Sequence, residues 1–276
     1  MPLHPADSHV HSEWSWDARA GAMESTCARA VELGLPAIAF TEHLDHTVWI
    51  PEAIDDGFPV SLLAPDGSLT PPRFDAVGYL EAIERCRHLF PDLRILSGLE
   101  VGEPHRHADA LAAVLAVGDF DRVLGSLHCL PVGDVYFEPP GLLRRMTAGD
   151  MVRRYLAEVA RAVSGSHPFA VLAHVDYPFR YWTGPVDITP FEEEFRHALR
   201  ATADSGRVLE VNSCLPSLQP TILRWWREEG GTAITIGSDA HEPDELARNF
   251  REVAATAEAH GFRPGQKLYE PWTHTG

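Results

Sequence analysis

Short apolar runs recur along the chain, and most end on a polar, ligand-type residue. Pro5 to Val10 leads into His11, Pro36 to Phe40 into Thr41-Glu42-His43, and Leu93 to Leu99 into Glu100. Further on, Arg122 to Leu127 leads into His128, Phe169 to Ala173 into His174, Arg207 to Val211 into Asn212, and Thr232 to Ile236 into Gly237-Ser238-Asp239-Ala240-His241. Runs of this length and composition predict buried strands. The stretches between them place apolar residues every three or four positions, which predicts helices over 18–34, 76–89, 108–117, 150–163, 191–203, 221–229 and 244–260. Gly34 and Gly230-Gly231 are stop signals for two of these, and Glu192 to Glu194 suit the positive end of another. Alternating strands and helices imply a parallel sheet with right-handed crossovers. Polar residues at nearly every strand end favour a closed (β/α) barrel with its site at the C-terminal face of the strands. The alternative is an open doubly wound sheet, where ligands gather at one switch point. Residues 44–75 are rich in Pro, Gly and Asp without a sustained period. They read either as a lid, with Trp49, Phe58 and Leu62 covering the site, or as a packed surface insertion.

His9 and His11 lie two apart on a predicted strand, so both imidazoles face the same way. A single histidine at a strand end is more often a hydrogen-bonded structural residue. Here His9, His11, His43, His128, His174 and His241 share that placement, together with Glu100 and Asp239, and Asp17 follows in the first loop. Six imidazoles and three carboxylates can thus converge on one cleft. Nitrogen and oxygen ligands without thiolates suit Zn, Mn or Fe. The set exceeds one tetrahedral ion and fits two or three divalent ions. Glu42 reads either as an acid orienting His43 or as an exposed side chain. His46 reads as a bystander in its loop. His105 and His107 begin a helix, where residues two apart do not share a face, so they read as surface residues.

Composition narrows the partners. The chain has 276 residues, 45% hydrophobic and 23% charged, which fits one large domain over 1–276. A formal net charge of -17 disfavours a nucleic-acid polymer or an anionic membrane as partner and favours a small substrate. Bound divalent ions would outweigh the three carboxylates and make the cleft locally attractive to a phosphate dianion. Two ions roughly 3.5–4 Å apart can acidify a shared water and aim it at phosphorus. Four scattered cysteines without a Cys-x-x-Cys pair argue against a disulfide framework or a zinc knuckle. The N-terminal segment lacks a secretion signal's basic and apolar regions, and no apolar run approaches a bilayer span, so a cytoplasmic protein is expected.

The ordered motifs His9-x-His11, Asp17, Thr41-Glu42-His43, Gly98-Leu99-Glu100, Gly125-Ser126-Leu127-His128, His174-Val175-Asp176, Glu210-Val211-Asn212 and Gly237-Ser238-Asp239-Ala240-His241 resemble the polymerase and histidinol phosphatase (PHP) family, most of all its histidinol-phosphatase branch. The resemblance implies a distorted (β/α)7 TIM-like barrel and a trinuclear metal site. It implies that His9, His11, Glu100 and Asp239 hold one ion, that Glu100, His128 and His174 hold a second, and that Asp17, His43 and His241 hold a third. An acid at position 17 agrees with the phosphatase branch, whereas Asn212-Ser213-Cys214-Leu215-Pro216 lacks the arginine which that branch tends to carry after the asparagine. Arg180 is then the candidate phosphate clamp.

The expected function is a metal-dependent phosphomonoesterase, with a metal-bridged hydroxide attacking phosphorus and histidinol phosphate the best single substrate by resemblance. Asp17, Arg180, Asp239 and His241 are the expected catalytic residues, and Arg180, Asn212 and Ser126 the expected substrate contacts. Glu13, Asp45 or Glu103 would meet the ammonium and imidazole of such a substrate. The alternatives are a phosphodiesterase or exonuclease acting on short nucleotides with the same ions, and a non-catalytic metal-binding module. Trp225-Trp226 reads as an interface patch or as core.

Overall fold

The computed structural model describes residues 5–52 and 60–274. Its strands are β1 (Asp7–Val10), β2 (Ala37–Leu44), β3 (Arg94–Gly102), β4 (Arg122–Ser126), β5 (Leu130–Val132), β6 (Val135–Phe137), β7 (Val171–Leu172), β8 (Val208–Asn212), β9 (Ala233–Gly237), β10 (Phe262–Arg263) and β11 (Trp272–His274). Its helices are α1 (Met23–Leu33), α2 (Ala76–Leu89), α3 (Ala108–Leu115), α4 (Pro139–Leu143), α5 (Ala148–Ser164), α6 (Glu192–Asp204), α7 (Gln219–Glu228) and α8 (Phe250–Ala259).

Among the described residues one curled sheet of nine strands runs in the order β1-β2-β3-β4-β7-β8-β9-β11-β10. The first seven are parallel and correspond to the seven apolar runs. The sequence pattern does not anticipate β10 and β11, which extend the β9 end antiparallel. The seven parallel strands curl until β1 meets the segment that follows β9. The His11 N–H donates to the Ala240 carbonyl and the Asp239 N–H to the His9 carbonyl, both at 2.8 Å, with Val10 bridging Ala240. This distorted barrel closes on the segments that carry His9, His11 and Asp239.

β2 and β3 run three or four residues past their predicted ends, to Leu44 and Gly102. β2 continues through Thr41-Glu42-His43 because those residues keep parallel register with β3, His43 lying opposite Glu100. Polar side chains usually mark a strand end. Here they find polar partners inside the barrel, so the ladder continues. α1 begins at Met23, not at residue 18, after turns through residues 12–21. Glu13 accepts the Met23 N–H at 2.6 Å and so serves this helix start; it does not line the cavity over the clustered histidines. α8 begins at Phe250, because Ala247 and Asn249 take left-handed conformations with φ of 56° and 55°.

The larger core packs α5 to α8 against β7, β8 and β9. Trp225 and Trp226 are fully buried in it, and the Trp226 indole donates to the Ala233 carbonyl at 3.2 Å. They are core residues, not a surface patch. A second core joins α1 and α2 to the first strands. There the Tyr79 hydroxyl donates to the Phe40 carbonyl and accepts the Gly98 N–H at 2.7 and 2.8 Å. Within 44–75, Trp49 exchanges two backbone hydrogen bonds with Leu69 and packs, buried, against Leu69 and Cys129, with Leu62 alongside. Phe58 lies outside the described residues. No helix among the described residues is long and apolar enough to cross a membrane.

Candidate metal centre

The strand alternation brings His9 and His11 together as expected, with their Nε2 atoms 3.1 Å apart. Each ring is fixed from behind. His9 Nδ1 lies 2.6 Å from Glu210 Oε1, and His11 Nδ1 lies 2.9 Å from the Ser15 hydroxyl, which donates to Glu42. Such backing carboxylates set the tautomer and direct the other nitrogen at an ion. Glu42 therefore serves His11 through Ser15, not His43. Strand alternation turns it away from its neighbour, and it is wholly buried, receiving the Ser12 N–H and hydroxyl as well.

Glu100, also wholly buried, sits at the centre. Its Oε2 is 3.2 Å from His9 Nε2, 3.3 Å from His11 Nε2 and 3.2 Å from His43 Nδ1. Its Oε1 is 2.6 Å from His174 Nε2 and 3.2 Å from His128 Nε2. Asp239 Oδ1 lies 3.5 Å from His9 Nε2 and 3.3 Å from His11 Nε2. A left-handed turn at Asp239, with φ of 56°, carries its side chain back over the barrel end. Asp17 Oδ2 is 3.3 Å from His43 Nε2 and 3.5 Å from His241 Nε2. The structure thus brings all nine expected ligands into one cluster. Three overlapping sets can each hold an ion: His9, His11, Glu100 and Asp239; His43, Glu100 and His128; and His11, His43 and His241. In these sets His43 spans the second and third positions, and His11 the first and third.

The donor set fits divalent cations. Glu100 Oε2, Asp17 Oδ1, His43 Nδ1 and His174 Nδ1 are buried without a hydrogen-bond partner, an expensive state unless a cation is near. Burial works against charge on Asp17 and on Asp239. His43 and His241 outweigh it at the first, and Arg180 and His9 at the second, so both stay well below the usual carboxylate range. Burial also opposes a charged His43, yet Asp17, Glu100 and Asp45 raise it to about 10. The cleft demands positive charge, which protons or metal ions can supply.

The other expected site residues divide. Arg180 lines the cavity, donates through Nη2 to Asp239 Oδ2 at 2.6 Å and lies over the Tyr177 ring. Asn212 is buried, and its amide donates to Glu210 and Asp239 at 3.2 and 3.3 Å, holding those acids behind the cavity wall. The Ser126 hydroxyl is buried and donates to the Val101 carbonyl at 3.2 Å. Neither Asn212 nor Ser126 lines the cavity, because each is occupied by its own strand neighbours. His46 stands apart from the ligands, 5.7 Å from His107 between ring centres. His105 and His107 are half-buried, not surface residues. His105 Nε2 is 2.7 Å from the buried Glu158 and His107 Nε2 is 2.9 Å from the Thr47 hydroxyl. The backing role of Glu210 and the cavity position of Glu138 were not anticipated. A motif carried the first, and nothing local in sequence marks the second.

Above the ligands is a cavity of about 200 Å³, walled by Trp16, Trp49, Tyr177 and Tyr181. A model of the PHP domain matches residues 7–214. The chain belongs to the PHP-domain family. Across 94% of this PHP-domain chain and 94% of the relative, it is 25% identical to a Clostridium acetobutylicum protein named "Probable histidinol-phosphatase". A Thermotoga maritima protein of the same name is 26% identical, over 95% of this chain and 97% of its own. The fold superposes on a Lactococcus lactis histidinol phosphate phosphatase solved with zinc, L-histidinol and phosphate. The TM-score is 0.79 at 23% identity, covering 98% of this chain and 99% of that one.

In this PHP domain Glu210 joins two ligand-bearing segments, since it also accepts the His174 N–H at 2.8 Å. Exchange of Glu210 for glutamine should lower metal affinity and activity roughly tenfold to a hundredfold, as loss of such a backing carboxylate does elsewhere. Metal titration of the stripped variant checks this, and an affinity equal to wild type would contradict it.

Proposed function

We propose that the chain is a metal-dependent phosphomonoesterase acting on histidinol phosphate. The observation that carries this reading is the convergence of nine candidate ligands, Glu100 at their centre, directly beneath a small cavity that also holds Arg180. Two or three divalent ions, with zinc, manganese and iron all suited to these donors, would supply Lewis acidity and an acidified water. His9, His11, Glu100 and Asp239 would hold one, Glu100, His128 and His174 another, and Asp17, His43 and His241 a third.

The chain's own groups set the geometry. Arg180 is pinned by Asp239 at one end of its guanidinium, which leaves further N–H groups for a phosphate oxygen. Its Nε is buried without a partner, consistent with an oxygen acceptor arriving there. Trp16, Trp49 and Tyr181 wall the cavity and would shield part of a bound leaving group from water. The cavity admits a small monoester, and its volume weighs against a nucleic-acid polymer. Four free cysteines suit a cytoplasmic setting.

The test is a panel of phosphomonoesters and diesters, run after metal analysis of the purified protein. Phosphate release from histidinol phosphate is expected. It should disappear on chelation and return with zinc or manganese. Turnover of diesters with none of monoesters would replace this reading by the phosphodiesterase one.

A further inference from the structure

Three carboxylates that are not ligand candidates face the cavity: Asp45, Glu103 and Glu138. Two are already committed. Glu103 Oε1 accepts the His128 and Cys129 N–H groups at 2.8 and 2.9 Å, and its Oε2 accepts the Thr47 hydroxyl at 2.5 Å. Asp45 accepts the Trp16 indole N–H at 2.9 Å and faces His43 and His128 at 3.6 Å each. Glu138 has no hydrogen bond or ion pair from its side chain among the described residues. It sits at the cavity wall with Tyr177 and Tyr181, where β6 gives way to α4. Glu138 is half-buried, and a cavity-wall carboxylate that no described protein group engages is left for a ligand.

The cavity is therefore polarised. Arg180 and the ligand cluster would claim an anionic phosphate, and Glu138, without a side-chain partner among the described residues, is placed for a positive group on the same molecule. We propose that Glu138 is the specificity-determining residue of the site, its carboxylate receiving a cationic amine of the substrate. The site thus selects phosphomonoesters of amino alcohols over neutral or doubly anionic ones. This rests on the hydrolase reading above and moves the cation-binding role from Glu13, Asp45 and Glu103 to Glu138. Nucleotides and sugar phosphates offer no ammonium and would leave the acid unpaired.

The test compares kcat/KM for L-histidinol phosphate with that for p-nitrophenyl phosphate in wild type, Glu138→Gln and Glu138→Asp. The ratio of the two is expected to fall about thirtyfold in Glu138→Gln, chiefly through KM for the amine, with Glu138→Asp keeping part of it. Calorimetric titration with L-histidinol in the presence of phosphate should show weakened binding in the Gln variant. Because each ratio is measured within one preparation, a partly misfolded sample does not shift it. A ratio within threefold of wild type, with L-histidinol binding intact, overturns the role of Glu138 alone. If wild type releases phosphate from neither ester, the hydrolase reading falls and this assignment falls with it.

Discussion

Glu100→Gln is expected to reduce phosphate release roughly a thousandfold and to strip the protein of most of its bound metal. Both oxygens of Glu100 face imidazole nitrogens, Oε1 toward His174 and His128 and Oε2 toward His9, His11 and His43. It is the carboxylate shared by two of the three candidate ion sets. Glutamine keeps the shape but removes the charge and turns one acceptor into a donor. At least one ion position then loses its anionic ligand while the surrounding histidines stay in place. A loss of several kcal/mol of stabilisation corresponds to that thousandfold factor. The β2–β3 ladder does not use the side chain, so the variant should fold, and circular dichroism should match wild type. Elemental analysis beside an assay of phosphate release decides the matter. A variant with full metal content and near-normal turnover would show that Glu100 bridges nothing.

The parallel architecture was legible because each barrel strand is a short apolar run buried on both faces. The metal ligands were legible because the barrel places strand ends at one mouth, so a histidine after each run already has an address. What local pattern could not show is how far a strand continues once its polar side chains are satisfied in three dimensions, as at Thr41-Glu42-His43. Nor could it show pairings across long stretches of chain. His9 meets Glu210, His105 meets Glu158, and Asp7 accepts the N–H groups of Ser238 and Ala247. Ser126 and Asn212 stand off the cavity for the same reason. A polar residue in a motif can face its own strand neighbours as readily as the cavity. Glu138 sits among prolines with no periodic pattern, and only the closed cavity reveals that it faces the ligands.

Gly237→Ala should damage stability and chemistry together, although no side chain is removed. A Cβ at this position would stand 2.4 Å from Glu210 Oε1 and 2.5 Å from His9 Cβ. Both neighbours are buried and joined to each other through the 2.6 Å contact of Glu210 with His9 Nδ1. Gly237 itself is held in register opposite Asn212. Something must shift, and either shift misdirects the His9 ring. Overpacking of this kind costs about 1–3 kcal/mol, which in a domain of this size lowers Tm by roughly 2–5 °C. Activity should fall on the order of a hundredfold or more, since both a candidate ligand and its backing acid are displaced. A double-mutant cycle separates this from general destabilisation. If the alanine acts through Glu210, combining it with Glu210→Gln adds little further loss of metal affinity, as expected for residues in one network. Additive losses, or an unchanged affinity in Gly237→Ala alone, would mean that the barrel end accommodates the methyl group without moving His9.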